Sequence, residues 1–122
     1  MIDLINTTFS KQRTVPTAVY SGLVAPILDD GEEIAATFSG IRDGVIFTSK
    51  RIILVQNKVG TEKEFSCIPY SRVQAYAIKA QGVIGTDSEL EVAFSGLGRL
   101  ALSFAPGTNV APICKLLSQN VL

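Results

Sequence analysis

The sequence predicts a mainly β protein, an antiparallel sandwich or barrel with a short helix near the N-terminus and a capping helix at the C-terminus. Three observations indicate this class. From residue 33 the chain divides into seven short strand-like runs with turn-rich separators. The last two runs alternate apolar and polar residues, as half-buried strands do. Two other segments place their apolar residues at helical spacing instead.

The seven predicted strands follow one another at regular intervals. Their sequences are EIAATFSG (33–40), GVIFTS (44–49), RIILVQN (51–57), EFSCIP (64–69), RVQAYAIKA (72–80), ELEVAFSG (89–96) and RLALSFA (99–105). The apolar face of the last two consists of Leu90, Val92, Phe94, Leu100, Leu102 and Phe104. Because the separators are rich in the residues that tight turns need, neighbouring strands are expected to be antiparallel.

Two helices are predicted beside this β region. The first precedes the acidic turn DDGEE, and Pro26 is expected to shorten it because proline disrupts a helix interior. Its apolar face consists of Tyr20, Leu23, Val24, Ile27 and Leu28. The second begins after Pro106, with Thr108 or Asn109 as its N-cap, and is expected to close one end of the β structure. Its apolar stripe consists of Val110, Ile113, Leu117 and Val121.

Size and composition indicate one globular domain. The chain has 122 residues, of which 47% are hydrophobic and 18% charged, which is enough to bury a core without metals or disulfides. Residues 17–122 are predicted to form this domain, whereas residues 1–16 show no clear period and are assigned to a mobile segment. The N-terminus lacks the basic and apolar regions of an export signal, which favours a cytoplasmic location.

The residues that carry most enzyme chemistry are missing. The sequence has no histidine, which removes the commonest general base and metal ligand. The carboxylates of DDGEE (29–33) lack the ligand spacing of a calcium loop and are interpreted as a solvated turn. The glycines of GVIG and SGLG lack the sequence context of phosphate-binding loops. The sequence therefore predicts a protein that is not an enzyme and that holds no cofactor or metal.

Charge is unevenly distributed, although the formal net charge is zero. Residues 1–33 carry an excess of three acidic side chains, residues 34–80 an excess of four basic ones, and residues 81–122 an excess of one acidic side chain. This balance differs from the strongly basic one of a dedicated nucleic-acid-binding domain, so no nucleic acid is expected as a partner. The basic middle segment leaves an anionic partner open.

The most apolar part of the chain, GVIFTSKRIILV, is interrupted by Lys50 and Arg51. Two interpretations are open. The pair is either the solvated tip of a hairpin whose arms are core strands, which the sequence favours, or a contact for an anionic partner. Lys58 and Lys63 flank the next turn and have the same two interpretations, with acidic residues alternating between them.

Seven short strands followed by one helix is the chain order of a pleckstrin-homology barrel, and the detailed sequence is similar as well. The stretches IRDGVIFTSKRIILV, EFSCIPYSRVQAYAIKAQG and DSELEVAFSG resemble the bacterial pleckstrin-homology-like family of small stand-alone proteins. The resemblance covers about residues 17–122. It implies two roughly orthogonal antiparallel sheets with a C-terminal capping helix, self-association into ring-like homo-oligomers, and a biochemical role that is unassigned.

Eukaryotic relatives of this fold often hold phosphoinositides through a basic cluster around the loop that joins the first two strands. In this sequence that loop is SGIRDGV, in which Arg42 is the one basic residue and stands beside Asp43. The fold alone therefore does not predict phosphoinositide binding, because function depends on the residues of the site.

The leading hypothesis is a non-enzymatic module that associates with itself or with another protein. The apolar fraction is high for a chain of this length, and small outward residues allow another subunit to approach closely. The residues predicted to make this contact are Ile53, Val55, Ile68, Tyr70 and Tyr76.

The alternative hypothesis is a weak peripheral binder of anionic membrane lipids or of a phosphorylated ligand. The residues predicted to contact the anion are Lys50, Arg51, Lys58, Lys63 and Arg72. Each cation near an anionic bilayer contributes only about 1 kcal/mol, so these residues would have to share one face.

Overall fold

The computed structural model describes residues 1–5, 7–79 and 88–121, and within them it contains eight strands and two α-helices. All seven predicted strands are present, as β2 (Ile34–Ser39), β3 (Asp43–Thr48), β4 (Arg51–Asn57), β5 (Lys63–Pro69), β6 (Val73–Lys79), β7 (Ser88–Phe94) and β8 (Gly98–Phe104). Residue 80, at the end of the predicted fifth strand, lies outside the described residues. The mainly β fold with a helix near each terminus is confirmed.

The strand count differs from the prediction by one. The additional strand, β1 (Thr8–Thr14), lies in the N-terminal segment that was assigned to a mobile region. Phe9 and Gln12 point inward and are fully buried, three positions apart instead of two. Between them the pairing register shifts at a bulge, where Lys11 adopts a φ of +53°. The bulge breaks the two-residue period of a strand, which is why alternation in the sequence did not reveal β1.

The strands form one open sheet in the order β5-β4-β3-β2-β1-β8-β7-β6. Neighbouring strands are antiparallel except β1 and β8, which are parallel. β1 joins two parts of the sheet, because Thr8 lies opposite Ala101 of β8 whereas Thr14 lies opposite Phe38 of β2. We call β2 to β5 the first half of the sheet and β6 to β8 the second half. Among the described residues, β5 and β6 are the two edges.

One hydrophobic core fills the space between the inner faces of the two halves. The ring of Phe38 meets the rings of Phe47 and Phe104 edge-on, with centroids 6.1 and 5.0 Å away. The C-terminal helix α2 (Ala111–Val121) closes this core by burying Ile113 and Leu117, as its predicted apolar stripe requires. Thus α2 has the capping role expected from the sequence.

A second, smaller cluster lies on the outer face of the first half. Helix α1 (Ala18–Val24) continues into a 3₁₀ turn (Ala25–Ile27) that contains Pro26, so the proline shortens the α-helix as predicted. Val24 of α1 packs against the outward side chains of β3 and β4, which are Ile46, Ile53 and Val55. Strand β3 and the middle of β4 are therefore buried on both faces.

Close contact between α1 and the sheet depends on a glycine. A Cβ atom added at Gly44 would come within 2.5 Å of the Tyr20 hydroxyl oxygen. That hydroxyl lies 3.1 Å from Oγ of Ser39 in the neighbouring strand. The absence of a side chain at position 44 lets Tyr20 lie directly on the sheet and anchors α1 there.

Candidate functional site

The turn between β3 and β4 contains Lys50 and Arg51, which have different surroundings. Lys50 lies in the turn with 51% of its side chain exposed, whereas Arg51 begins β4 with 20% exposed. Nε and Nη2 of Arg51 donate to the two carboxylate oxygens of Glu32 at 2.9 and 2.6 Å. Because the Glu32 side chain is fully buried, this bidentate ion pair is shielded from water and charge-assisted.

Thr48 and Tyr70 extend this ion pair into a polar network. The Thr48 hydroxyl donates to Glu32, and the Tyr70 hydroxyl donates to the Thr48 carbonyl oxygen at 2.7 Å. The hydrogen bonds from Arg51 hold the pKa of Glu32 at about 2, against an ordinary value of 4.5. Glu32 in turn raises the pKa of Arg51, and burial raises the pKa of Tyr70. Every charged group of the network is engaged inside the chain.

This network corrects two predictions. The interpretation of the hairpin tip as solvated fits Lys50 but is wrong for Arg51, which is mostly buried and pairs with a carboxylate that is fully buried. The interpretation of DDGEE as a solvated turn is wrong for Glu32, whose carboxylate is buried because Arg51 neutralises it. No local pattern in the sequence links two residues that are 19 positions apart.

The five cations predicted to contact an anion lie at separate places. Lys50 and Arg51 lie at one end of β4 and pair with acidic residues of the same chain. Lys58 and Lys63 flank the turn at the other end of β4, where Nζ of Lys63 donates to a side-chain oxygen at 2.6 Å. Arg72 ends a 3₁₀ turn just before β6. The structure therefore brings these residues together only as two pairs and a single residue.

Four of the five residues predicted to contact another copy are buried within the chain. Ile53 and Val55 lie beneath α1, and Ile68 and Tyr70 lie in the main core, each with at most 4% of its surface exposed. Their assignment as contact residues is not supported, because these side chains already have partners inside the chain. Tyr76 is only partly buried and lies on the edge strand β6.

The second half of the sheet exposes both an edge and an outer face. Of the seven residues of β6, only Val73 is buried, and residues 74–78 are uncharged. Ala77 of β6 lies opposite Glu91 of β7, which lies opposite Ala101 of β8. The small side chains leave a shallow groove of about 300 Å³ across this face. No described element covers it in the way that α1 covers the first half.

A further groove, of about 320 Å³, lies where β1 changes its pairing partner. The residues that line it are Lys11, Arg13, Gly40, Ile41, Ala105 and Pro106, and we call it the β1 groove. Two of these residues are cations on β1, and two others belong to the loop between β2 and β3. Sequence reasoning missed Lys11 and Arg13 because it missed β1; the one visible signal was a large apolar residue, Ile41, inside a turn.

The described residues contain neither a cluster of potential metal ligands nor a helix that could span a membrane. These residues contain no group of three or more Cys, Asp or Glu side chains placed to hold a metal ion. None of the helices described is long and apolar enough to cross a membrane.

Comparison with known proteins places this chain in a family. Residues 3–121 match the family model described as bacterial PH domain. The chain is 36% identical over 109 residues to the uncharacterized protein YjqA of Bacillus subtilis (strain 168). The aligned region covers 86% of this chain and 87% of that protein. Because the family match starts at residue 3, it includes β1, whereas the sequence resemblance was traced only from about residue 17.

Two solved structures are also similar. The first is a DUF1696 family protein with a pleckstrin-homology domain from Shewanella loihica PV-4, with a TM-score of 0.77 and 28% identity over 93% of this chain and 99% of that one. The second is a pleckstrin homology domain from Shewanella amazonensis SB2B, with a TM-score of 0.67 and 29% identity over 96% of this chain and 93% of that one.

Proposed function

This chain belongs to the bacterial PH domain family, and we propose that it acts in the cytoplasm as a non-enzymatic interaction module that assembles with copies of itself. The observation that carries this proposal is the exposed edge strand β6, which is uncharged from residue 74 to residue 78 and lies at one end of an open sheet. The absence of histidine and the internal pairing of Glu32 with Arg51 support a role other than catalysis.

An edge strand exposes backbone groups that can pair with another strand. Natural proteins usually block such edges with charges, proline or a covering element. β5 begins with Lys63 and ends with Pro69, which limits pairing at its two ends. β6 has no charge or proline from residue 74 to residue 78, and Ala75, Ala77 and Ile78 are exposed. This composition favours the addition of a strand from another molecule.

The two edges of the sheet are different, and this difference bears on the form of the assembly. A contact between β6 of one copy and the central residues of β5 in the next joins two unlike surfaces. Such a head-to-tail contact produces a closed ring when the rotation between copies divides a full turn. The proposal therefore agrees with the ring-like homo-oligomers that the family resemblance implies.

Light scattering coupled to size exclusion tests this proposal. We expect a mass of several chains for the unmodified protein and a shift toward the monomer for Ala77→Lys, because a buried ammonium group at the contact is costly. The matched control is Ala35→Lys, which places the same charge at an exposed alanine of the interior strand β2 and is expected to leave the mass unchanged. A monomer at high micromolar concentration would contradict the proposal.

A further inference from the structure

We propose that the β1 groove binds a single-chain anionic amphiphile, with the anionic head on Lys11 and Arg13 and the apolar chain against Ile41 and Pro106. This inference goes beyond self-association, since it concerns a different surface from the β6 edge. It rests on three features of the groove: its charge, the strained backbone that forms it, and the exposed apolar residue at its rim.

The charge of the groove is positive. Lys11 and Arg13 lie on β1, and neither of them is in an ion pair within 4 Å among the described residues. Arg42 lines an adjoining hollow of about 380 Å³ that shares Lys11 and Ile41 with the groove. The carboxylate on this surface belongs to Asp43, whose Oδ1 accepts a hydrogen bond from Nε2 of Gln12 at 2.7 Å. Three cations and one carboxylate give the linings of these two hollows a net positive charge, which complements an anionic ligand.

The backbone of β1 is strained at the groove. Among the described residues, Lys11 is the non-glycine residue with a positive φ, at +53°. Its backbone N–H donates to Oγ of Ser103 at 3.0 Å, which holds the bulge in place. Left-handed conformations of residues with side chains cost free energy, and such residues cluster at functional sites and at bulges that redirect a side chain. Here the bulge places Lys11 between the two hollows.

Ile41 is 89% exposed, although it is a large aliphatic residue. It lies in the turn that joins β2 and β3, and the core does not use it. Across the groove stand Ala105 and Pro106, which follow β8. An apolar chain between these side chains would remove Ile41 from water, which is favourable in proportion to the area covered. A groove lined by both cations and apolar side chains matches the two parts of an amphiphile.

The walls of the groove are held in position before any ligand binds. The backbone N–H of Gly40 donates to the Asp43 carbonyl oxygen at 2.8 Å, and that of Ala105 donates to the Gln12 carbonyl oxygen at 2.9 Å. A Cβ atom at Gly40 would come within 2.6 Å of Nε2 of Gln12 and within 3.1 Å of the Ser10 carbonyl oxygen, so the loop lies close against β1. A preformed site loses less entropy on binding. A volume of about 320 Å³ is at the small end for ligand sites, which suits one acyl chain of medium length.

Titration with decanoate below its micelle concentration, followed by amide shifts in NMR spectra, tests the site. We expect shifts at Lys11, Ile41 and Ala105 with decanoate, and none with acetate, which lacks the chain, or with decyl maltoside, which lacks the charge. Binding of all three, or of none, overturns the proposal. Vesicles of phosphatidylglycerol provide a further arm: binding to vesicles without binding of monomeric decanoate would mean that a bilayer occupies this surface, and would also overturn it.

Matched variants separate the parts of the site. Lys11→Gln and Arg13→Gln are each expected to weaken decanoate binding about fivefold, whereas Lys58→Gln, an exposed cation outside the groove, leaves it unchanged. Ile41→Ser is expected to weaken binding about tenfold, and Val59→Ser, at an equally exposed loop position, is the control.

Asp43→Asn is the variant expected to bind more tightly, because it removes the one carboxylate of this surface and keeps an oxygen that accepts from Gln12. A gain in affinity does not arise from misfolding, so this variant tests the site even if a loss-of-charge variant is unstable. Unchanged or weaker binding by Asp43→Asn, or decanoate affinity that survives the Lys11→Gln and Arg13→Gln changes together, overturns the assignment to this groove.

Discussion

The two halves of the sheet have similar inner faces and different outer faces. Inside, both present large apolar residues to one core. Outside, the first half presents Ile46, Ile53 and Val55, which α1 covers, whereas the second half presents Ala77 and Ala101 to its surroundings. The alternation of apolar and polar residues along a strand therefore predicts only which side chains face the core. The residue types at the intervening positions determine whether a helix packs on the outer face of the sheet.

The physical reason for this difference is the area that a cover removes from water. Full burial of an isoleucine or valine side chain contributes about 1.5–3 kcal/mol, whereas an alanine offers only a methyl group. A short helix such as α1, with only seven residues, is not stable alone and depends on such packing. The outer face of the second half offers too little apolar area to hold a helix of its own chain.

The largest expected effect on stability comes from the ion pair between Arg51 and Glu32, at the start of β4. Arg51→Ala leaves the buried carboxylate of Glu32 without its counter-charge and is expected to lower the free energy of unfolding by about 3–5 kcal/mol. Lys50→Ala, at the exposed neighbour, is expected to change it by less than about 0.5 kcal/mol. Urea denaturation of both variants measures the difference. Equal effects would mean that Arg51 is as solvated as Lys50.

Removing a side chain from beneath α1 tests the covered face directly. Ile53→Ala is expected to cost about 2–5 kcal/mol, because the residue is fully buried and its loss leaves a cavity. Glu89→Ala on the outer face of the second half is expected to cost less than about 0.5 kcal/mol. Denaturation midpoints compare the two. A small loss for Ile53→Ala would show that α1 does not pack there in solution.

The buried carboxylate of Glu32 should also make stability depend on pH between 4.5 and about 2. Because the pKa of Glu32 falls from 4.5 to about 2 on folding, the unfolded chain binds a proton at a higher pH than the folded chain does. The stabilisation is fully present above pH 4.5 and is lost as the pH falls toward 2. Unfolding free energies measured across this window should decline less steeply for Glu32→Gln. Parallel curves for the two proteins would remove Glu32 from the acid response.

The smallest expected effects on stability come from substitutions at two glycines, one in α1 and one in β3. Gly22 lies within α1 with open space around it, so Gly22→Ala is expected to stabilise the protein by about 0.5–1 kcal/mol. Gly44→Ala should destabilise it, because the new methyl group displaces the Tyr20 ring. Thermal unfolding should move the two midpoints in opposite directions. A gain from both changes would indicate that α1 is loosely attached.

The sequence predicted most of the fold and little of the polar site. The run RIILV in β4 is apolar at successive positions because both of its faces are buried, yet without a location for α1 Ile53 and Val55 were assigned to a contact between copies. β1 was missed because its bulge separates Phe9 from Gln12 by three positions and because one of its two inward residues is polar.

The partnership of Glu32 with Arg51 was missed for another reason. An ion pair between distant positions leaves no periodic pattern, and an acidic turn in a sequence has the same composition whether one carboxylate is buried or not. Only the approach of the turn before β2 to the start of β4 determines which carboxylate loses its water. Such long-range pairs depend on the assembled fold and cannot be derived from local propensity.

The split pairing of β1 has a consequence for the order of folding. Thr8 of β1 pairs with Ala101 of β8, so the strand that unites the two halves must join residues 93 positions apart. Contacts of such large sequence separation close long loops and form slowly. We expect the hairpins of β2 to β5 to form early, while the parallel junction of β1 with β8 forms last and sets the folding rate.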